Sequence, residues 1–184
     1  QGFRFTPDFN GERQEEIARS QSSVVGGRRC SAAVAYLRPA LKRGNVTLVT
    51  RAHATRVLMQ GTRATGIEYL RRGRLRRAHA GREVILSGGV FNSPQLLMLS
   101  GIGPAEHLRE HGIDVVVDHG GVGANLQDHI AVHVAGTRPQ PGPFVREMRA
   151  DRMPLSMVRG YIFGTGPATV LPSGLHSYIR SAPG

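Results

Sequence analysis

Glycine turns cut the middle of this chain into runs too short for helices. Asn45 to Thr50 (NVTLVT) alternates apolar and polar residues and is β-branched, the pattern of a half-buried strand. Ala54 to Gln60 (ATRVLMQ) reads as a second strand. Gly61-Thr62-Arg63 then reads as a hairpin turn into ATGIEYLRR, and Gly73 as a second turn into LRRAHA. Gly81-Arg82 leads on to EVILS, residues 83–87. Short strands joined this tightly have few options, and the spacing predicts a small antiparallel meander whose last strand returns towards a helix.

That helix is expected within SGGVFNSPQLLMLSGIGP, residues 87–104. Asn92 or Ser93 can cap free N–H groups, and Pro94 in a first turn loses no helical hydrogen bond. Leu96, Leu97 and Leu99 supply an apolar face, and Gly101 ends the helix. Pro104 starts a second short helix, PAEHLREH, which Gly112 stops. IDVVVD, 113–118, is a strand candidate. Upstream, residues 1–28 are polar and glycine-rich, with DFNG as a turn signal. Ser31 to Lys42 favours a helix that Pro39 should kink or end. After His119, GGVGANLQDH reads as a glycine-rich loop and IAVHVAG as a strand. Residues 137–160 show weak periodicity, and the tail suggests a turn followed by one strand.

Local chemistry narrows the function only a little. A glycine pair between a buried strand and a helix lets backbone approach a ligand, and a helix N-terminus favours an anion. A phosphate-bearing cofactor would suit Gly88 and Gly89, but on local physics an ordinary tight connection is the favoured reading. The GxGxxG fingerprint is absent, because Gly101-Ile102-Gly103 follows a helix. His129 and His133 are four apart but lie in a strand-like run. His107 and His111 sit at the end of a short polar helix, where the helix dipole favours them as surface residues. Ser87, Ser93, Ser100 and Ser173 all lack the GxSxG elbow.

The net charge of +11 raises nucleic acid as a partner. RRGRLRR, 71–77, is its strongest stretch, yet it falls at a hairpin tip, which must be polar in any case. Without interleaved aromatics, a solvated arginine-rich surface is favoured over a basic nucleic-acid-binding module, which stays as an alternative. The single Cys30 suits a reducing compartment. With no apolar leader in the N-terminal residues, the expected location is cytoplasmic. No run of apolar residues is long enough for a transmembrane helix.

Taken together, the motifs say more than their spacing. REVILSGGVFNSPQLLMLSGIGP resembles the second signature of the glucose–methanol–choline (GMC) oxidoreductases, FAD enzymes that oxidise alcohols. DFNG, then GRRCSAAVAYLRPALKRGNVTLVTRAHATRVL, RATGIEYLRRG and VGANLQDH agree with that family and follow its order. The nearest flavour is the choline-dehydrogenase-like group of FAD-dependent alcohol dehydrogenases. Two departures are small: Gly88 and Val90 stand where the family has other small residues. Leu175-His176 replaces an acidic or amide lead-in to a later strand.

The resemblance implies an α/β (α+β) fold: part of an FAD-binding domain with an antiparallel meander and helices, plus the start of a mixed-sheet substrate domain. Residues 1–28 would lead into the FAD domain, 29–120 would form part of it, and 121–184 would begin the substrate domain. Ala54 would meet the adenine through its backbone. Ser87, Gly88 and Gly89 would pass close to the FAD, with Asn92, Ser93 and Pro94 starting the helix behind it. Asn125 to His129 would brace the domain boundary. The implied reaction is hydride transfer from a small-molecule alcohol to flavin, with the alcohol and the electron acceptor left open. A cyanohydrin lyase of the same family is a further alternative. The chain is expected to be an interior segment, without the pyrophosphate-binding βαβ unit or the catalytic-histidine segment. No residue here is assigned as catalytic and none as a metal ligand, and the segment alone is expected to be inactive.

Overall fold

A computed structural model describes residues 4–12, 16–134, 136, 139–140, 142, 145–146, 148–169 and 174–178. The chain divides into two compact units, residues 1–47 with 134–184, and residues 48–133.

In the first unit, β1 (Ile17–Arg19) pairs antiparallel with β9 (Leu175–Ser177), and Ala18 between them is fully buried. The tail strand expected from sequence is therefore present. β2 (Val24–Val25) and β3 (Arg28–Arg29) form a hairpin inside the segment that reads only as polar. Its signal was Gly26-Gly27, both at positive φ, as a type I′ turn requires. A helix begins as a π turn, Ala33–Leu37, and continues as α1 (Arg38–Leu41). Pro39 thus neither ends nor breaks it. The wider turn, in which the Arg38 N–H reaches the Ala33 carbonyl, makes room for the proline ring.

In the second unit, β4 (Ala52–Gln60), β5 (Arg63–Arg71) and β6 (Arg74–His79) form the antiparallel meander. Arg72 and Gly73 both have positive φ, giving a I′ turn between β5 and β6. The β5–β6 ladder runs without interruption from Gly66↔His79 to Arg71↔Arg74. Gly66 is obligatory there, since a Cβ would sit 2.3 Å from the Ala78 carbonyl oxygen. The β4–β5 ladder slips at Thr55, which faces no partner residue of its own. On one face of the sheet, Glu68 lies between Arg56 and Arg77, each 3.0 Å away.

Helix α2 (Gly89–Leu99) packs on β4. The Ser100 hydroxyl joins the two, accepting the Val57 N–H at 2.7 Å and donating to the Leu96 carbonyl. Gly101 ends the helix at φ +83, where a Cβ would meet the Asp114 carbonyl at 2.4 Å. β7 (Ile102–Gly103) pairs in parallel with β8 (Val117–Asp118), and α3 (Ala105–Glu110) connects them. The Asp118 carboxylate accepts the Ala105 N–H at 3.0 Å, supplying the cap that Pro104 cannot. Leu108 of α3 is fully buried, and Val57 and Ala105 are the other buried apolar side chains of this unit.

Several sequence expectations fail for identifiable reasons. NVTLVT, EVILS and IAVHV join no ladder among the described residues. Strand propensity needs a neighbour to pair with, and these runs have none among the described residues. Only Val117–Asp118 of IDVVVD is paired. Helix α2 starts at Gly89 rather than at Asn92, so Pro94 lies inside it. Conversely, residues 137–160 looked irregular, yet α4 (Met153–Phe163) begins there and ends on Gly164 at φ +64. Arg28 stacks over the Tyr161 ring of α4 at 5.1 Å and donates to the Tyr161 carbonyl.

Candidate functional site

A cleft of about 610 Å³ opens between the start of β4 and the N-terminal half of α2. Ala54 and its neighbours Ala52 and His53 form one wall. Ser87 and Gly88 form the second, with Asn92 and Ser93 behind them. Five of the residues singled out from sequence, Ala54, Ser87, Gly88, Asn92 and Ser93, therefore share one cavity. Pro94 is turned to the opposite face of α2. There it lines a second groove with Phe91, Met98 and the loop residues Asn125 to Gln127. Gly89 lines neither, but its φ of +88 lets the chain turn into the helix.

Asn92 and Ser93 do not cap the helix in the way the sequence suggests. The Ser93 hydroxyl accepts the Gly88 N–H at 2.9 Å, and the Asn92 amide donates to the Gly88 carbonyl at 3.1 Å. Both side chains are spent on the backbone of Gly88. A Cβ at Gly88 would come within 3.0 Å of the Asn92 Cβ, so the turn is held tight as well as pinned. These residues shape the cleft rather than reach into it.

Sequence reasoning missed most of the remaining lining. Ile67 of β5, Ile85 and Leu86 of the unpaired run, and Leu96 and Leu99 of α2 make the cleft mostly apolar. Asn92, Gln95, Leu96 and Leu99 follow helical spacing, so that face was readable once α2 was placed. His53 and Gln95 carried no signal. They line the cleft, and their side chains form no hydrogen bond with another described residue, unlike those of Asn92 and Ser93.

The lining suits part of a dinucleotide better than all of it. Flat apolar walls with a few polar groups are what a nucleobase requires. No arginine or lysine lines the cleft, so nothing in it compensates a pyrophosphate. Among the described residues no group of His, Cys, Asp or Glu is placed to hold a metal ion.

A family profile described as GMC oxidoreductase matches residues 1–131. An oxygen-dependent choline dehydrogenase from Brucella suis biovar 1 is 43% identical over 183 residues, which is 100% of this chain and 33% of that protein. The oxygen-dependent choline dehydrogenase of Rhizobium meliloti is 53% identical over 140 residues, 76% of this chain and 25% of that one. An FAD-dependent oxidoreductase structure from Chaetomium thermophilum superposes with a TM-score of 0.78 at 24% identity, over 95% of this chain and 32% of that one, and so speaks for the fold. The chain spans about a third of the length of the curated relatives it matches. Its mixed α/β architecture with a three-stranded antiparallel sheet is the fold shared with that structure. With the profile covering most of its length and the signature residues grouped around one cleft, this chain belongs to the GMC oxidoreductase family.

Proposed function

We propose that this chain is part of an FAD-dependent oxidoreductase acting on the CH–OH group of a choline-like alcohol, and that it supplies the adenine-side wall of the cofactor site. The supporting observation is the cleft that brings Ala54 of β4 against Ser87 and Gly88. Bound FAD would supply the hydride acceptor. This chain's residues would position it. The Ala54 backbone would meet the base, Ile67, Leu96 and Leu99 would exclude water from its faces, and Asn92 and Ser93 would fix the Gly88 turn beside it. The pyrophosphate would be held outside this cleft, since no cation lines it.

The domain reading belongs to the same proposal: 29–120 as part of the FAD-binding domain and 121–184 as the start of the substrate domain. So does a cytoplasmic setting, which rests on the lone Cys30. The segment alone should bind FAD weakly and turn over no alcohol. Titrating FAD into the isotope-labelled chain should shift the amide resonances of Ala54, Ser87 and Gly88 ahead of those in the first unit. Unmoved cleft amides at millimolar FAD would sink the assignment. Copurifying stoichiometric flavin that bleaches with choline would overturn the expectation of inactivity.

A further inference from the structure

No Asp, Glu, Arg or Lys lines the cleft between β4 and α2, so its ligand is sorted there by neutral hydrogen bonds. Most of the polar side chains in the lining are not free to do this. The Asn92 amide is anchored through its nitrogen to the Gly88 carbonyl, and the Ser93 hydroxyl is taken by the Gly88 N–H. His53 pairs with Leu70 between the Ala52↔Arg71 and Ala54↔Tyr69 pairs, so its side chain stands on the other face of the sheet from those of Ala52 and Ala54. Ser87 offers a single hydroxyl.

Gln95 differs from all of these. It lies on the face of α2 that carries Asn92, Leu96 and Leu99, and that face lines the cleft. Its side chain is exposed and forms no hydrogen bond with another described residue. A primary amide presents a donor and an acceptor side by side. Adenine offers the matching pair along one edge, the N6 amino group and the N7 acceptor, and Gln or Asn is the side chain that meets both at once. Guanine shows two acceptors at that edge, O6 and N7, and is read by Arg or Lys, neither of which is present in the lining.

We infer that Gln95 is a specificity residue for the nucleobase, pairing through its amide with N6 and N7 of adenine and so selecting FAD over flavin dinucleotides of other bases. The inference rests on the reading that this cleft takes the adenine side of FAD. Ala54 and Gln95 belong to different walls of the cleft, β4 and α2. The adenine amino group carries two hydrogens, one for the Ala54 backbone and one for the Gln95 amide oxygen. The Gln95 N–H then goes to N7.

The apo form of the intact oxidoreductase that carries this segment tests this. It is reloaded with FAD, with flavin guanine dinucleotide, and with FAD in which 7-deazaadenine replaces adenine, and binding is read by flavin fluorescence. The wild-type protein should hold FAD about tenfold more tightly than the 7-deaza form, the lower end for a paired base contact. Gln95→Met keeps the side chain's length and helix preference but not its amide. It should hold FAD and the 7-deaza form alike, and its preference for FAD over the guanine form should fall about tenfold. Changing the side chain and the ring nitrogen separately and together isolates their coupling from any general loosening of the cleft. Equal wild-type affinity for FAD and its 7-deaza form, or an unchanged base preference in Gln95→Met, overturns the inference and leaves the Ala54 reading standing. An intact protein that takes up no FAD overturns both.

Discussion

Ser100 satisfies two backbone groups with one hydroxyl. Its oxygen accepts the buried Val57 N–H while its proton goes to the Leu96 carbonyl at the end of α2. Strand and helix are thereby tied at the point where the chain turns, and Gly101 follows in a conformation that no other residue adopts cheaply. Ser100→Ala removes both bonds and leaves the Val57 N–H, on a residue only 5% exposed, without a partner. The expected cost is about 1–3 kcal/mol, the usual penalty for a stranded buried donor. Deuterium exchange of the Val57 amide, compared between the two proteins, measures it locally. A loss well under that range would mean that water replaces the hydroxyl. The sequence marks Ser100 only as the residue before a helix stop. Which donor it serves depends on β4, more than forty positions earlier, as the Val57 contact shows.

At the scale of elements, the three strands of the meander share a single carboxylate. Hydrogen bonds from Arg56 and then Arg77, aided by their charges, hold the Glu68 carboxyl below its ordinary value of 4.5, against the opposing effect of burial. A carboxyl with a lowered folded-state pKa contributes stability that is complete above 4.5 and is lost as pH falls through the lower, folded value. Glu68→Gln should therefore flatten the acid limb of the stability profile and change it little in shape at neutral pH and above. Exchange protection of the β4–β5 amides, corrected for the intrinsic pH dependence of exchange, decides the matter across the acid range for both proteins, and identical acid limbs would exclude Glu68 as the group that titrates. The meander itself was legible, because its turns require positive φ and glycine marks them at Gly61 and Gly73. The Arg56–Glu68–Arg77 group was not, since it depends on register across two ladders. NVTLVT and EVILS mislead for a related reason: alternation describes a residue's own faces, whereas a strand also needs a partner. The cleft divides in the same way. Ser87, Gly88 and Asn92 were found through a family signature, while His53 and Gln95 reach it only through the packing of α2 on β4.

At the scale of the whole molecule, surface outweighs core. Hydrophobic residues are 40% of the sequence, yet among the described residues only Ala18, Val57, Ala105 and Leu108 form the buried apolar set. Ile130 and Val132 project from an unpaired run, and Leu155, Tyr161 and Phe163 project from α4. The relatives are about three times as long by their coverage. Taken alone, the 184 residues should then lack a cooperative core. Unfolding in urea should be broad, with a slope below about 1 kcal/mol per molar, the low end for small domains. An apolar fluorescent dye should light up in the absence of denaturant, as it does on exposed hydrophobic surface. A sharp transition with no dye response would show that the chain closes its own core, and the unpaired runs would then have to find partners within it.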